Sequence, residues 1–321
     1  MKNQYLSYFF ILIFIVACSP SISPVDDGLE KQILHYGNGT EPQGLDPHIV
    51  TGVPEHHLLI SMCEGLTIAN PKGGENLPGV AESWQISEDG KTYTFFLNKA
   101  AKWSNGDQLV AEDFVWSWER ILTPSLGSQY PDMLYYLEGA ADFHQSKISD
   151  FSLVGVKAIN EHVLEVKLNN PTPFFIKLLS HYSTYPVHKK TVLQHGTIDD
   201  RNGQWTRPGN FVCNGPMNLK TWELNKQIIV EKNPTYWDAQ NVKLNQIIFY
   251  PVSNESTEDR MFRAGQLHVT NVVPLDAKNP HLHVDLWKFA MSLGYSAEDD
   301  TGVHVRIGTE PRNMFIYFLR Y

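Results

Sequence analysis

The chain has 321 residues, enough for two lobes with cores of their own at roughly 100–200 residues per domain. Its composition, 42% hydrophobic and 19% charged, is that of a folded globular protein and excludes disorder as the main state. A formal charge of -9 supplies no basic footprint for a phosphate backbone, which argues against a nucleic-acid partner.

At the N-terminus, Lys2 precedes an apolar run from Leu6 to Ala17 that is short for a membrane-spanning helix and reads as a signal peptide. Residues 19–30 carry Pro20, Pro24, Ser21, Ser23 and Asp26-Asp27, the composition of a flexible tether, so the folded body is expected to begin near Lys31. Gln32 to Tyr36 reads as a strand ended by Gly37-Asn38-Gly39. Pro54, Leu58, Leu59, Met62 and Leu66 have helical spacing, with proline in the first turn.

Glu88-Asp89-Gly90 is a hairpin turn leading into the alternating strand Thr92 to Leu97, one face of which should be buried. After the turn Asn105-Gly106-Asp107, the residues Phe114, Val115, Trp118, Ile121 and Leu122 form an amphipathic helix that Pro124 stops. Val163 to Leu168 alternates again, and Phe174 to Leu179 resumes a helical pattern beyond Pro171 and Pro173. A loop from Gly203 to Pro216 precedes the strands Ile228 to Glu231 and Ile247 to Tyr250. The class is mixed α/β, and no fixed-period repeat points to a solenoid or propeller.

Chemistry-bearing motifs are absent: there is no G-x-S-x-G, H-E-x-x-H, Walker loop or C-x-x-C. No enzyme, cofactor or metal is therefore expected. The adjacent His56-His57 and the pair His281 and His283 fit zinc spacings poorly and read as solvated histidines. Cys63 and Cys213, far apart in sequence, give no metal or redox spacing; two buried thiols are the favoured reading and a disulfide the alternative.

Several segments, read in order, carry a family resemblance. They are Glu41-Pro42-Gln43-Gly44-Leu45-Asp46-Pro47-His48, Gly52-Val53-Pro54-Glu55 and Glu64-Gly65-Leu66, followed by Gly79 to Trp84, Asp89 to Phe95, Trp103 to Asp107 and Asp113 to Trp118. Later echoes are Pro171 to Phe175, Asn214-Gly215-Pro216, Asn233 to Trp237 and Arg263 to Leu267. Over residues 31–287 the chain resembles the bacterial extracellular solute-binding proteins of family 5, the oligopeptide-binding components of ATP-driven (ABC) importers. Ile15-Val16-Ala17-Cys18 likewise resembles a lipobox, with Cys18 the lipidated residue.

The resemblance implies a periplasmic-binding-protein-like α/β fold (class II, cluster C) of two lobes with mixed sheets. The first lobe would be discontinuous, residues 30–70 and 195–275, with a second lobe, residues 71–194, inserted. Residues 276–321 read as a divergent tail where relatives carry a third domain, so the fold is expected to be incomplete at the C-terminus. The implied role is a monomeric lipoprotein of the periplasm or cell envelope, held at the membrane by its lipid. It would capture oligopeptides and deliver them to an ABC permease. The alternative is a non-transporting remnant or an interaction lipoprotein on the same scaffold.

Family logic places a peptide-pairing strand at Thr51-Gly52-Val53 and a cleft-lining tyrosine at Tyr130. Gly52 could admit a close backbone or simply form a turn, and Tyr130 could equally be a packing residue. Trp84, Trp103, Trp116 and Trp118 are expected to be core anchors rather than ligand contacts.

Overall fold

A computed structural model describes residues 22–70 and 73–271. Two four-stranded sheets dominate it. The first joins β1 (Ile33–Gly37), β10 (Gln246–Tyr250), β9 (Gln227–Lys232) and β8 (Met217–Glu223) in that order. Only the β1–β10 pair is parallel, so the strand that opens the body is completed by one more than two hundred residues later. The second sheet, β4 (Ala81–Ile86), β5 (Thr92–Leu97), β7 (Val163–Lys167) and β6 (Val156–Asn160), is antiparallel throughout. Between them lies the two-residue ribbon β2 (Thr67–Ile68) with β3 (Leu77–Pro78).

The second sheet follows from local rules. In β5, Tyr93, Phe95 and Leu97 are buried, as alternation requires of a strand with one face on the core. Gly90 closes the β4–β5 turn at φ +68°, a left-handed conformation that favours glycine, and Asp89 Oδ1 accepts from the Lys91 amide at 3.1 Å. Helix Ala111–Leu122 begins where Asp113 Oδ2 accepts from the Val110 amide at 2.9 Å, with Glu112 and Asp113 complementing its N-terminal dipole. Its apolar face, Phe114, Trp118, Ile121 and Leu122, is buried with Phe95, Trp103, Leu164 and Phe175 in one core. As expected, Trp103 and Trp118 are fully buried anchors; Trp116 instead joins a satellite cluster with Val187, Val192 and Trp205.

The first sheet buries Leu34, Tyr36, Ile228, Val230, Ile247 and Phe249 against Leu58, Leu59 and Met62 of helix Val53–Met62. That helix starts at the expected proline turn but ends at Met62, short of Leu66. The apolar segment at Phe174 to Leu179 forms only the short helix Phe175–Leu178.

Two expectations are corrected. Where a tether was read over residues 19–30, the described part from Ile22 contains a helix, Pro24–Lys31. Ser23 Oγ accepts from the Asp26 amide at 3.1 Å, Pro24 occupies the first turn, and Asp26 and Asp27 face the helix dipole. Val25 is buried and its amide donates to Gly265 O at 3.0 Å, so the body begins before Lys31. Second, Cys63 and Cys213 form a disulfide, not two thiols, with Cα atoms 5.3 Å apart. The backbone brings them together: the Gly215 amide donates to Met62 O at 2.8 Å, and Glu64 and Asn214 exchange two hydrogen bonds, at 3.1 and 2.9 Å. Neither strand alternation nor helical spacing encodes that crossing.

Cys18 and the lipobox, His281, His283 and the tail from 276 lie outside the described residues.

Candidate functional site

Thr51, Gly52 and Val53 sit where the chain enters helix Val53–Met62. Gly52 is extended at φ -83°, ψ 157° and Val53 is the first helical residue, so the segment carries no strand of its own. Thr51 is exposed and Val53 is 43% exposed, while the Gly52 carbonyl already accepts the His56 amide at 3.1 Å. The place a Gly52 Cβ would fill is taken by the carboxylate of Glu55, which folds back along the first turn. Glu55 Oε1 in turn accepts from the Gln43 amide at 2.6 Å. A side chain at 52 would have to displace that carboxylate, whether or not another backbone approaches.

Tyr130, packed against the first sheet's core, comes to the same place. Its hydroxyl donates to Thr51 O over a long 3.5 Å, and its ring meets His181 edge-on at 5.2 Å. His181 stacks on Tyr182 at 4.3 Å, and His56 lies 5.6 Å from Tyr182. The four residues singled out from the sequence, Thr51, Gly52, Val53 and Tyr130, are thus brought together, with one flank walled by aromatic and imidazole rings. His181, Tyr182 and His56 were not anticipated there; Ser180 to Tyr185 is a mix of hydroxyl, imidazole and phenol side chains with no apolar period. Burial lowers the pKa of His181 against a weaker pull from Asp132, keeping the ring neutral near pH 7, and raises that of the Tyr182 hydroxyl.

Beneath this wall, Arg120 of helix Ala111–Leu122 makes a bidentate pair with Asp46, at 2.9 and 2.6 Å, and donates to His48 Nδ1 at 3.0 Å. Burial, then the Arg120 charge, lower the pKa of His48 to about 4. His56 and His57 diverge, since His57 is buried with Nδ1 3.0 Å from Asn38 Oδ1 while His56 is half-buried. Among the described residues no three His, Cys, Asp or Glu side chains gather as metal ligands, and no helix is long and apolar enough to cross a membrane.

Residues 76–317 match the family described as bacterial extracellular solute-binding proteins, family 5 Middle. The chain belongs to that family. It is 42% identical over 246 residues to the periplasmic oligopeptide-binding protein OppA of Escherichia coli K12, covering 75% of this chain and 43% of that protein. It is 37% identical over 270 residues to the oligopeptide-binding protein OppA of Bacillus subtilis 168, covering 81% of this chain and 48% of the other. The crystal structure of Haemophilus influenzae OppA in complex with RPPGFSPFR superposes with a TM-score of 0.72 at 36% identity, over 76% of this chain and 47% of that one. The mixed α/β, periplasmic-binding-protein-like fold of this family 5 chain is therefore that of solved family members. It spans somewhat less than half the length of these relatives.

Proposed function

We propose that this family 5 chain is the binding component of a peptide importer: it captures oligopeptides outside the cytoplasmic membrane and hands them to an ABC permease. The observation that carries the reading is the meeting of Tyr130 with the segment Thr51-Gly52-Val53, whose Thr51 and Val53 are exposed. An extended peptide recognised through its main chain needs open carbonyl and amide groups beside an aromatic surface that tolerates many side chains. Similar proteins named for oligopeptide binding, and one solved with the nonapeptide RPPGFSPFR, support that choice of ligand. Thr51, Gly52, Val53 and Tyr130 are the proposed contacts, and no catalytic step is assigned to the chain.

The proposal includes a lipid anchor at Cys18, a monomeric state and a location in the periplasm or cell envelope. The Cys63–Cys213 bond supports a compartment outside the cytosol, because disulfides persist where thiols are oxidised. It also includes the division into a discontinuous first lobe and an inserted second one. The first sheet's strands fall in 33–37 and 217–250, and the second's lie wholly within 81–167.

A titration with tri- to pentapeptides, followed by tryptophan fluorescence, tests the reading. Saturable binding that weakens about tenfold in Tyr130→Ala supports it, given the weight single aromatic anchors carry at interfaces. Saturable binding that Tyr130→Ala leaves unchanged puts the ligand elsewhere.

A further inference from the structure

Arg120 is a costly residue in an unusual place. Its side chain is fully buried at the end of helix Ala111–Leu122, packed 5.6 Å over the ring of Trp205, and its Nε has no hydrogen-bond partner among the described residues. A buried ion pair seldom adds net stability over well-packed apolar side chains, so the Arg120–Asp46 pair needs another explanation. What it does geometrically is hang one chain segment on another element. Arg120 grips both Asp46 carboxylate oxygens, and Asp46 Oδ1 also accepts from the His48 amide at 3.0 Å. The Asp46 carbonyl receives the amides of Ile49 and Val50, both at 3.1 Å, closing a turn that ends one residue before Thr51.

His48 adds a second tether. Because Arg120 can only donate, His48 Nδ1 must accept from it; Nε2 therefore carries the proton and donates to Tyr185 O at 3.1 Å. A third tether is the Tyr182 hydroxyl, which donates to Val50 O at 3.1 Å. Downstream, Asn38 Nδ2 donates to Pro54 O at 3.2 Å. The segment 51–53 is thus suspended between fixed points on either side.

We infer that Arg120 is a positioning residue for Thr51-Gly52-Val53, acting through Asp46 and His48, with Tyr182 as a separate tether on Val50. The segment's backbone groups are thereby preset, so a ligand that pairs with them does not have to order the turn itself. The consequence for ligand affinity rests on the peptide-binding reading; the positioning itself does not.

The test uses the full chain and the double variant Asp46→Asn/Arg120→Met, which removes both charges while keeping an acceptor for the His48 amide and an apolar stem for the cavity. Amide hydrogen exchange at Ile49 and Val50 should quicken by about tenfold or more while β5 and β9 amides stay as in the wild type, because the opening is local. Tyr182→Phe, a gentler change that folds more safely, should quicken the same amides by about threefold. Exchange that rises evenly across the chain, or does not change at 49–50 in Tyr182→Phe and in any double variant that folds, overturns the inference. Peptide titration separates the two proposals. Local loosening in a protein whose wild type moves no peptide keeps positioning and removes the peptide reading. Peptide binding of equal strength in wild type and both variants, with unchanged exchange, does the reverse. With both intact, affinity drops about tenfold in the double variant at nearly constant melting temperature.

Discussion

The two sheets solve the same packing problem by opposite routes. In the second, every strand pair is antiparallel and drawn from one continuous stretch, 81–167, with an apolar core around Phe95, Trp103, Phe114 and Trp118. In the first, β1 waits for β10, and the surroundings hold buried polar groups such as His35, Asp46, His48, Glu64, Asn214 and His268. Nearby pairings cost little chain entropy to form, whereas the β1–β10 pair closes a loop spanning most of the body. The disulfide and the polar knot of Glu64, Asn214 and Tyr236 lie where that loop returns. The second sheet is held by burial; the first is held by burial plus specific ties. The candidate site hangs from the ties.

That contrast predicts where each change is felt. The largest effect is expected from the second sheet's core: Trp118→Ala, which also removes the Nε1 hydrogen bond to Thr184 O at 2.9 Å, should cost about 3–5 kcal/mol in chemical denaturation. Opening the disulfide with reductant, or as Cys63→Ser/Cys213→Ser, should cost about 2–4 kcal/mol. Exchange measurements should locate that loss mainly in the first sheet; equal loosening of both sheets contradicts the division of labour.

Acid should act through the buried histidines. His35, His48, His181, His188 and His268 all have lowered pKa values, burial being the main cause in each; His35 and His268 sit at the first sheet, whereas His188 meets Trp103 and Asp107. A histidine depressed in the folded state stabilises the fold above its unfolded pKa and loses that contribution as pH falls through the folded value. For His48, ordinarily 6.5 and here about 4, stability should be full above pH 6.5 and fall as pH drops toward 4. The loss from this residue is about 3 kcal/mol as an order of magnitude. Asp113 runs the other way, since burial raises its carboxyl pKa; its contribution is full below its unfolded pKa and lost as pH rises through the folded value. Thermal unfolding at pH 7.5 and 5 should show the drop, and His48→Gln should shrink it. The smallest effect belongs to Gly90→Ala, where φ +68° and the nearby Pro171 make a side chain unwelcome, at about 1–2 kcal/mol confined to the β4–β5 hairpin.

Legibility in the sequence followed the same line. The Glu88-Asp89-Gly90 turn, strands β5 and β7 and helix Ala111–Leu122 could be read because period and punctuation are local. Strand β8 escaped notice because a register shift between Leu219 and Thr221 breaks its alternation. Helix Glu255–Arg263 did so because only Glu258 and Phe262 are buried on it. Pro24–Lys31 looked like a tether by composition, although Ser-Pro followed by two acids is also a helix start. At the site, Thr51, Gly52, Val53 and Tyr130 came from family likeness, and no spacing in the chain announces that Tyr130 meets Thr51. His181, Tyr182 and the Arg120–Asp46 pair join residues tens of positions apart, a meeting only the fold reveals.

Peptide capture is the functional reading proposed for this chain, and a thermal-shift titration with short peptides puts it to the test. A ligand that binds only the folded state must raise the melting temperature, by about 2.7 kcal/mol of stability at a hundredfold excess over its dissociation constant. A saturable rise with tri- to pentapeptides, absent with free amino acids, is expected. A clean unfolding transition that no peptide moves contradicts peptide capture and favours a non-transporting, interaction role for the same scaffold.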